Sequence, residues 1–170
     1  MAIELLLSPN EVHAALTPHR RAHASVGFVP TMGALHRGHA SLIEQCAEQN
    51  DVTVVSIFVN PIQFDDPGDF DAYPSTLEAD MKVCEEAGAD YIFVPSPAEM
   101  YPAGFSSFVD MSGASDVLCG RSRPGHFRGV LTVVSKLLNI VLPAAAYFGE
   151  KDAQQLFVIR KMVRELNMPV

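Results

Sequence analysis

Residues 52–59 read Val-Thr-Val-Val-Ser-Ile-Phe-Val, a nearly unbroken run of β-branched and aromatic side chains. A strand of this kind has no polar face to turn to water. It predicts a strand buried on both sides within a parallel sheet. Parallel neighbours need long crossover connections, usually helical, and the flanking sequence offers them on both sides.

Ser8-Pro9-Asn10-Glu11 reads as a helix start, with a capping serine, a proline in the first turn and a glutamate at the capping-box position. Pro18 is expected to kink or end that helix. Residues 26–30 form a short apolar run predicted as a buried strand, and 31–35 a glycine-containing turn. Residues 37–49 carry Ala40, Leu42, Ile43, Cys46 and Ala47 at helical spacing. Residues 60–74 read as a polar loop. Ser75-Thr76-Leu77-Glu78 reads as a second capping box, opening a helix that runs to about Gly88. A strand is expected at 91–94, and irregular chain at 95–123 with a short strand at 108–110. An apolar helix follows at 129–142, a strand at 144–148 and an amphipathic helix at 152–167. Residues 168–170 look like the start of one more strand. This alternation predicts a single α/β domain with right-handed crossovers.

The net charge is −8 and the pI about 5.1, a poor match for nucleic acid or an anionic membrane surface. A small-anion site needs only a few local cations and stays open. Cys46, Cys84 and Cys119 are sparse, odd in number and without metal spacing. They read as core thiols in a reducing compartment. Residues 1–7 are too short for a signal segment, and no stretch approaches the roughly 20 apolar residues of a membrane span. A cytoplasmic location is expected.

Ligands of an open parallel sheet bind beyond the carboxyl ends of its strands, and three strand ends carry suggestive residues. After 26–30 comes Thr31-Met32-Gly33-Ala34-Leu35-His36-Arg37-Gly38-His39. A helix beginning there would aim backbone N–H groups at an anion. His36 and His39 would share one face of its first turn. They suit phosphate oxygens, although half of a metal site or ordinary capping would use the same pair. After 52–59, Asn60 and Gln63 bring amides suited to a hydroxyl- and carboxylate-bearing substrate, or form a polar turn. After 144–148, Lys151 can reach phosphate, Asp152 can face a ligand or cap the helix, and Gln155 lies one turn further. Arg121, Arg123, His126 and Arg128 form the densest cationic stretch, an anion gate or a solvated loop.

The strings Pro-Thr-Met-Gly-Ala-Leu-His-x-Gly-His, Phe-Val-Asn-Pro-x-Gln-Phe, Asp-Ala-Tyr-Pro, Arg-Pro-x-His-Phe-x-Gly-Val and Phe-Gly-Glu-Lys-Asp occur together, in this order. In them the sequence resembles the pantothenate synthetase family. The resemblance implies a Rossmann-like nucleotidyltransferase domain of the HIGH superfamily, with a parallel sheet flanked by helices. It implies ATP with Mg²⁺, and ligation of pantoate to β-alanine through a pantoyl-adenylate in a cytoplasmic homodimer. By position, His36, His39 and Lys151 would be catalytic. Pro30, Met32, Gly33, Gly149 and Asp152 would join them around ATP. Asn60, Gln63, Gln155 and Met32 would bind pantoate, while Tyr73, Arg123 and His126 would close the pocket. Asp80 would be the acidic group near Mg²⁺. Residues 1–170 would correspond to the family's N-terminal domain, since nothing here matches its smaller C-terminal domain. Ala153 stands where the family is expected to carry a bulkier residue. Two other readings stand beside this one: a different His-x-Gly-His nucleotidyltransferase, and a non-catalytic binding or dimerisation domain.

Overall fold

The structure is a computed structural model that describes residues 3–64, 68, 72–74, 76–113, 121 and 123–170. Asp71, Ser75, Cys119 and Ser122 lie outside the described residues. The elements are β1 (Glu4–Leu6), α1 (Pro9–Arg21), β2 (Val26–Thr31), α2 (Arg37–Gln49), β3 (Val52–Ile57), a 3₁₀ turn (Pro61–Gln63), α3 (Leu77–Glu86), β4 (Tyr91–Phe93), α4 (Pro97–Met100), α5 (His126–Val141), β5 (Ala145–Ala146) and α6 (Ala153–Glu165). The five strands form one sheet in the order β1-β4-β3-β2-β5, and every pairing is parallel.

All six residues of β3 are buried, as its composition demands. Because side chains alternate along a strand, Val54 and Phe58 join one core with Phe28, Leu131 and Leu138, which also takes in Val12, Leu16 and Met162. Val55 and Ile57 join a second core with Val29, Ile43, Cys46 and Cys84. Helices α1, α5 and α6 thus cover one face, and α2 and α3 the other. Each large apolar side chain moved from water into these layers contributes roughly 1.5–3 kcal/mol.

Several expectations change in detail. α1 opens as predicted, with Ser8 Oγ accepting from the Glu11 N–H. It does not end at Pro18 but runs to Arg21. The buried Val12 and Leu16 pin it, and only its final turn follows the proline. α3 has Thr76 as its N-cap residue, yet the Thr76 hydroxyl makes no capping bond and donates to Asp80 instead. Among the described residues, 108–110 form no strand. The Val109 N–H is taken by Thr132 Oγ1 on α5, which keeps this segment off the sheet. Residues 168–170 pair with no strand, and the Met168 N–H turns back to the Val163 carbonyl. β1 was not foreseen. It is a three-residue edge strand beside β4, anchored by the buried Leu6.

α5 approaches the 3₁₀ turn so closely that a Cβ on Gly129 would stand 2.6 Å from the Ile62 carbonyl oxygen and 2.7 Å from Gln63 Cα. Alanine at a helical glycine ordinarily helps by up to about 1 kcal/mol. Here overpacking against backbone, about 1–3 kcal/mol, wins. Gly129→Ala is therefore expected to lower the urea midpoint of unfolding; an unchanged or raised midpoint would show that the turn yields freely.

Candidate active site

The sheet order departs from β2 in both directions, towards β3 on one side and β5 on the other. Such a switch point leaves a crevice at the carboxyl ends of the two strands, and three strand ends converge on it.

The first is the junction between β2 and α2. Thr31 Oγ1 donates to the Ser56 carbonyl and accepts from the Gly33 N–H. Gly33 (φ 85°) and Ala34 (φ 51°) then both take the left-handed conformation. For an alanine this costs about 1–2 kcal/mol, so something must hold it. Asp80, 2% exposed, accepts from the Ala34 N–H at 3.0 Å and from the Leu35 N–H at 2.7 Å. The turn delivers His36 as the N-cap of α2. Its Nδ1 accepts from the Gly38 N–H at 3.0 Å, while His39 Nδ1 accepts from the His36 N–H at 3.4 Å. The two rings lie 4.2 Å apart. A neutral imidazole whose Nδ1 accepts carries its proton on Nε2, so each ring keeps an N–H for an incoming acceptor.

The second is the end of β3. Asn60 is 1% exposed and its amide is fully engaged within the protein. Asn60 Nδ2 donates to Gln63 Oε1 at 3.0 Å and to the Gly129 carbonyl at 3.1 Å, while Asn60 Oδ1 accepts from the Tyr101 hydroxyl at 2.7 Å. His126 Nδ1 donates to the Gln63 carbonyl at 2.9 Å. Gln63 is fixed at both its backbone and its side chain. Among the described residues its Nε2 meets the thioether of Met32, a weak acceptor that a ligand oxygen would outcompete.

The third is the junction between β5 and α6. Asp152 is the N-cap residue of α6 by position but makes no capping bond there, so its carboxylate is left to the crevice.

A chamber of about 190 Å³ joins the three, lined by Pro30, Met32, His39, Gln63, Asp152 and Gln155, with Phe58 and Phe148 beside them. Its remaining wall is the apolar face of α5, with Val130, Val133, Val134 and Leu137. A second chamber of about 290 Å³ shares Met32 and Phe58 with it and is lined further by Gly33, Tyr73, Thr76 and Asp80. A larger hollow of about 770 Å³ runs along the outer edge of β5, between Leu42, Tyr147, Arg160 and Val170. None of the histidines lines it, and its polar side chains, Gln45, Tyr147, Arg160, Arg164 and Asn167, line neither smaller chamber, so size alone does not make it the site.

His39 titrates below the usual histidine value. Burial is the main cause, the His36 and Lys151 charges act in the same direction, and Asp80 opposes them. Lys151 is exposed, yet close enough to act on His39. His36 and His39 lie side by side and His39 lines the smaller chamber, while Lys151 lines neither chamber.

Three of the expected residues are tied into the protein by their own bonds. Asn60 lines the smaller chamber with its amide engaged on Gln63, Gly129 and Tyr101. His126, 9% exposed, is a buried strut under Gln63 and not a gate. Asp80 directs its oxygens to the turn and to Thr76, and among the described residues no group of three or more His, Cys, Asp or Glu is arranged for a metal. Tyr73 lines the second chamber, half-buried against Phe64. Gly149 is exposed at the mouth between β5 and α6. Arg123 is exposed and lines neither chamber. Sequence reasoning missed Tyr101. It lies 41 positions beyond Asn60, and no local pattern marks it.

The parallel sheet, its switch point and the histidine junction define a Rossmann-like domain of the nucleotidyltransferase type. The family model described as Pantoate-beta-alanine ligase matches residues 4–170. The chain is 54% identical over 161 residues to the pantothenate synthetase of Acetivibrio thermocellus, covering 95% of this chain and 57% of the relative. It superposes on pantothenate synthetase from Thermus thermophilus with a TM-score of 0.93 at 47% identity, over 99% of this chain and 59% of that one. It also superposes on the pantoate-β-alanine ligase from Francisella tularensis complexed with β-γ ATP and β-alanine. There the TM-score is 0.95 at 40% identity, over 99% of this chain and 65% of that one. The chain belongs to the pantoate–β-alanine ligase family. It spans less than two thirds of the length of each of these relatives. Among the described residues no helix is long and apolar enough to cross a membrane.

The environment of His39 yields a direct test. Lys151 depresses its pKa through charge. Lys151→Met is expected to raise the His39 midpoint, read by NMR of the imidazole protons, while the wild-type midpoint lies below 6.5. A midpoint that ignores the substitution would separate the two residues. A His whose pKa falls on folding leaves the unfolded chain binding more protons. Its contribution to stability is therefore complete above about 6.5 and is lost as pH falls through the lower folded value.

Proposed function

We propose that this chain is the ATP- and pantoate-binding, N-terminal domain of a ligase that joins pantoate to β-alanine through a pantoyl-adenylate. The observation that carries the reading is the small chamber under His39, with an apolar wall on one side and fixed amides on the other. Its volume is below the roughly 300 Å³ at which drug-sized ligands are held. It suits a short branched acid: gem-dimethyl carbons against Val130, Val133, Val134 and Leu137, and hydroxyls against Gln63 and Gln155. A nucleotide would lie outside it, across the mouth made by Gly33, His36, Gly149, Lys151 and Asp152.

In the first step a pantoate carboxylate oxygen attacks the α-phosphorus of ATP, forming the acyl–O–P bond as the bond to pyrophosphate breaks. The carboxylate is already ionised at neutral pH, so no base is needed. The requirement is to hold two anions together and stabilise charge on the phosphate. The Nε2–H groups of His36 and His39 and the ammonium of Lys151 supply donors where that charge develops. Mg²⁺ would accompany the triphosphate whose charge it neutralises. In the second step the free amine of β-alanine attacks the acyl carbon, and AMP leaves. A cytoplasmic homodimer completes the reading. Buried reduced Cys46 and Cys84 agree with such a compartment.

A nucleotidyltransferase acting on a phosphate acceptor would need cations around the chamber, and no Lys or Arg is among its lining residues. Calorimetry of pantoate with this chain and pyrophosphate release in the full-length protein test the reading together. Pantoate is expected to bind, and pyrophosphate to appear only with both pantoate and ATP. His36→Ala and Lys151→Ala are each expected to slow that release on the order of 10²-fold, with pantoate affinity far less affected. Equal loss of both would remove the transition-state role.

A further inference from the structure

The histidine turn contains a conformation that its own residues do not favour. Ala34 sits at φ 51° directly after Gly33 at φ 85°. Two consecutive left-handed residues with a non-glycine in second place persist only when the surroundings over-determine them. Thr31 Oγ1 accepts from the Gly33 N–H, and among the described residues the Ala34 and Leu35 N–H groups both go to one side chain. Asp80 Oδ2 accepts from the Ala34 N–H and Oδ1 from the Leu35 N–H, at 3.0 and 2.7 Å. Thr76 Oγ1 holds Oδ2 from behind at 3.0 Å. A Cβ at Gly33 would stand 3.0 Å from the same Oδ2, so the carboxylate also lies against the turn in contact.

Both carboxylate oxygens of Asp80 are engaged at this turn. The residue is buried within α3, its charge reaches His39, and the neighbouring Tyr73 hydroxyl and Cys84 thiol are both raised, first by burial and then by Asp80. Lys151 and His36 act on His39 in the opposite sense to Asp80. The Gln63 side of the crevice is built by different bonds, through Asn60, Tyr101 and His126.

We propose that Asp80 is a positioning residue of the histidine turn: it holds Ala34 and Leu35 by their N–H groups and so sets His36 and His39 at the start of α2. The consequence for catalysis rests on the ligase reading. The turn itself does not.

Asp80→Asn places an amide N–H against a backbone N–H and breaks the clamp. In the full-length protein the expected result is a fall in kcat for pyrophosphate release on the order of 10²-fold, with the pantoate KM at its wild-type value. The Ala34 and Leu35 amide protons are expected to exchange faster with solvent. Adding Ala34→Gly, which removes the left-handed strain, is expected to restore part of the lost kcat. A buried polar residue that served stability alone would lower the melting temperature and leave kcat per folded molecule and amide protection unchanged. That outcome overturns the proposal, as does a proportional loss of kcat and pantoate affinity. Should Asp80→Asn fail to fold, Thr76→Val loosens the same carboxylate by one bond and must show the same split on a smaller scale; wild-type kcat and protection in Thr76→Val would overturn it. If the wild-type protein releases no pyrophosphate, the ligase reading fails, and the amide-exchange comparison still decides for or against Asp80.

Discussion

β3 is a strand with no side to give to water, and the layout of the molecule follows from covering it. Its neighbours β2 and β4 must be parallel, because helices have to return across both faces to bury Val54 and Val55 alike. Parallel strands end on the same side. The loops after β2, β3 and β5 therefore come together although they are far apart in sequence. The strand also runs straight into the site. Asn60, three residues beyond β3, is as buried as the strand itself, and a buried amide must find partners. Those partners are Gln63, Gly129 and Tyr101, so satisfying one polar group fixes the position of the next.

The electrostatics of the crevice follow from the same economy of charge. The chain is acidic overall, yet the donors offered at the mouth are two imidazoles and one exposed lysine. A permanent charge on half-buried His39, beside exposed His36, would repel Lys151 and carry a desolvation penalty with nothing bound. A His39 whose pKa is depressed stays neutral beside Lys151 and still offers an N–H. A polyphosphate bound as proposed would reverse the balance, since an opposite charge nearby favours the imidazolium. The histidine can then gain positive character where phosphate charge develops. Asp80 pulls in that direction already, which keeps the depression from going further.

What could be read in the sequence was local. β3 and α2 are encoded by unbroken or periodic apolar residues, and α2 begins and ends at the predicted residues. His36, His39, Gln63, Asp152 and Gln155 lie in the turns or first helical turns after strands, which is where the rule about strand ends directs attention without a structure. β1 escapes because three residues with one buried side chain make no pattern. The roles of Asn60, His126 and Asp80 escape for a different reason. Each is decided by a partner remote in sequence, as with Asp80 and Ala34, 46 positions apart. Residue type told that these groups form hydrogen bonds. Only tertiary structure told to what, and in all three cases the partner is the protein.

The crevice is consequently held by two independent networks that meet at one flexible residue. Asn60, Tyr101 and His126 fix the amide side; Asp80 and Thr76 fix the histidine side. Met32 lies between, lining both chambers and accepting weakly from Gln63 through its sulfur. A stiff side chain at this seam would couple the halves, so that filling one chamber displaced the donors of the other. A thioether with several rotatable bonds adjusts to either occupant at little cost. Under the proposed ligase reaction, an acid whose carboxylate becomes a mixed anhydride would benefit from that separation. It would remain on Gln63 and Gln155 while the charge being stabilised moved past His39.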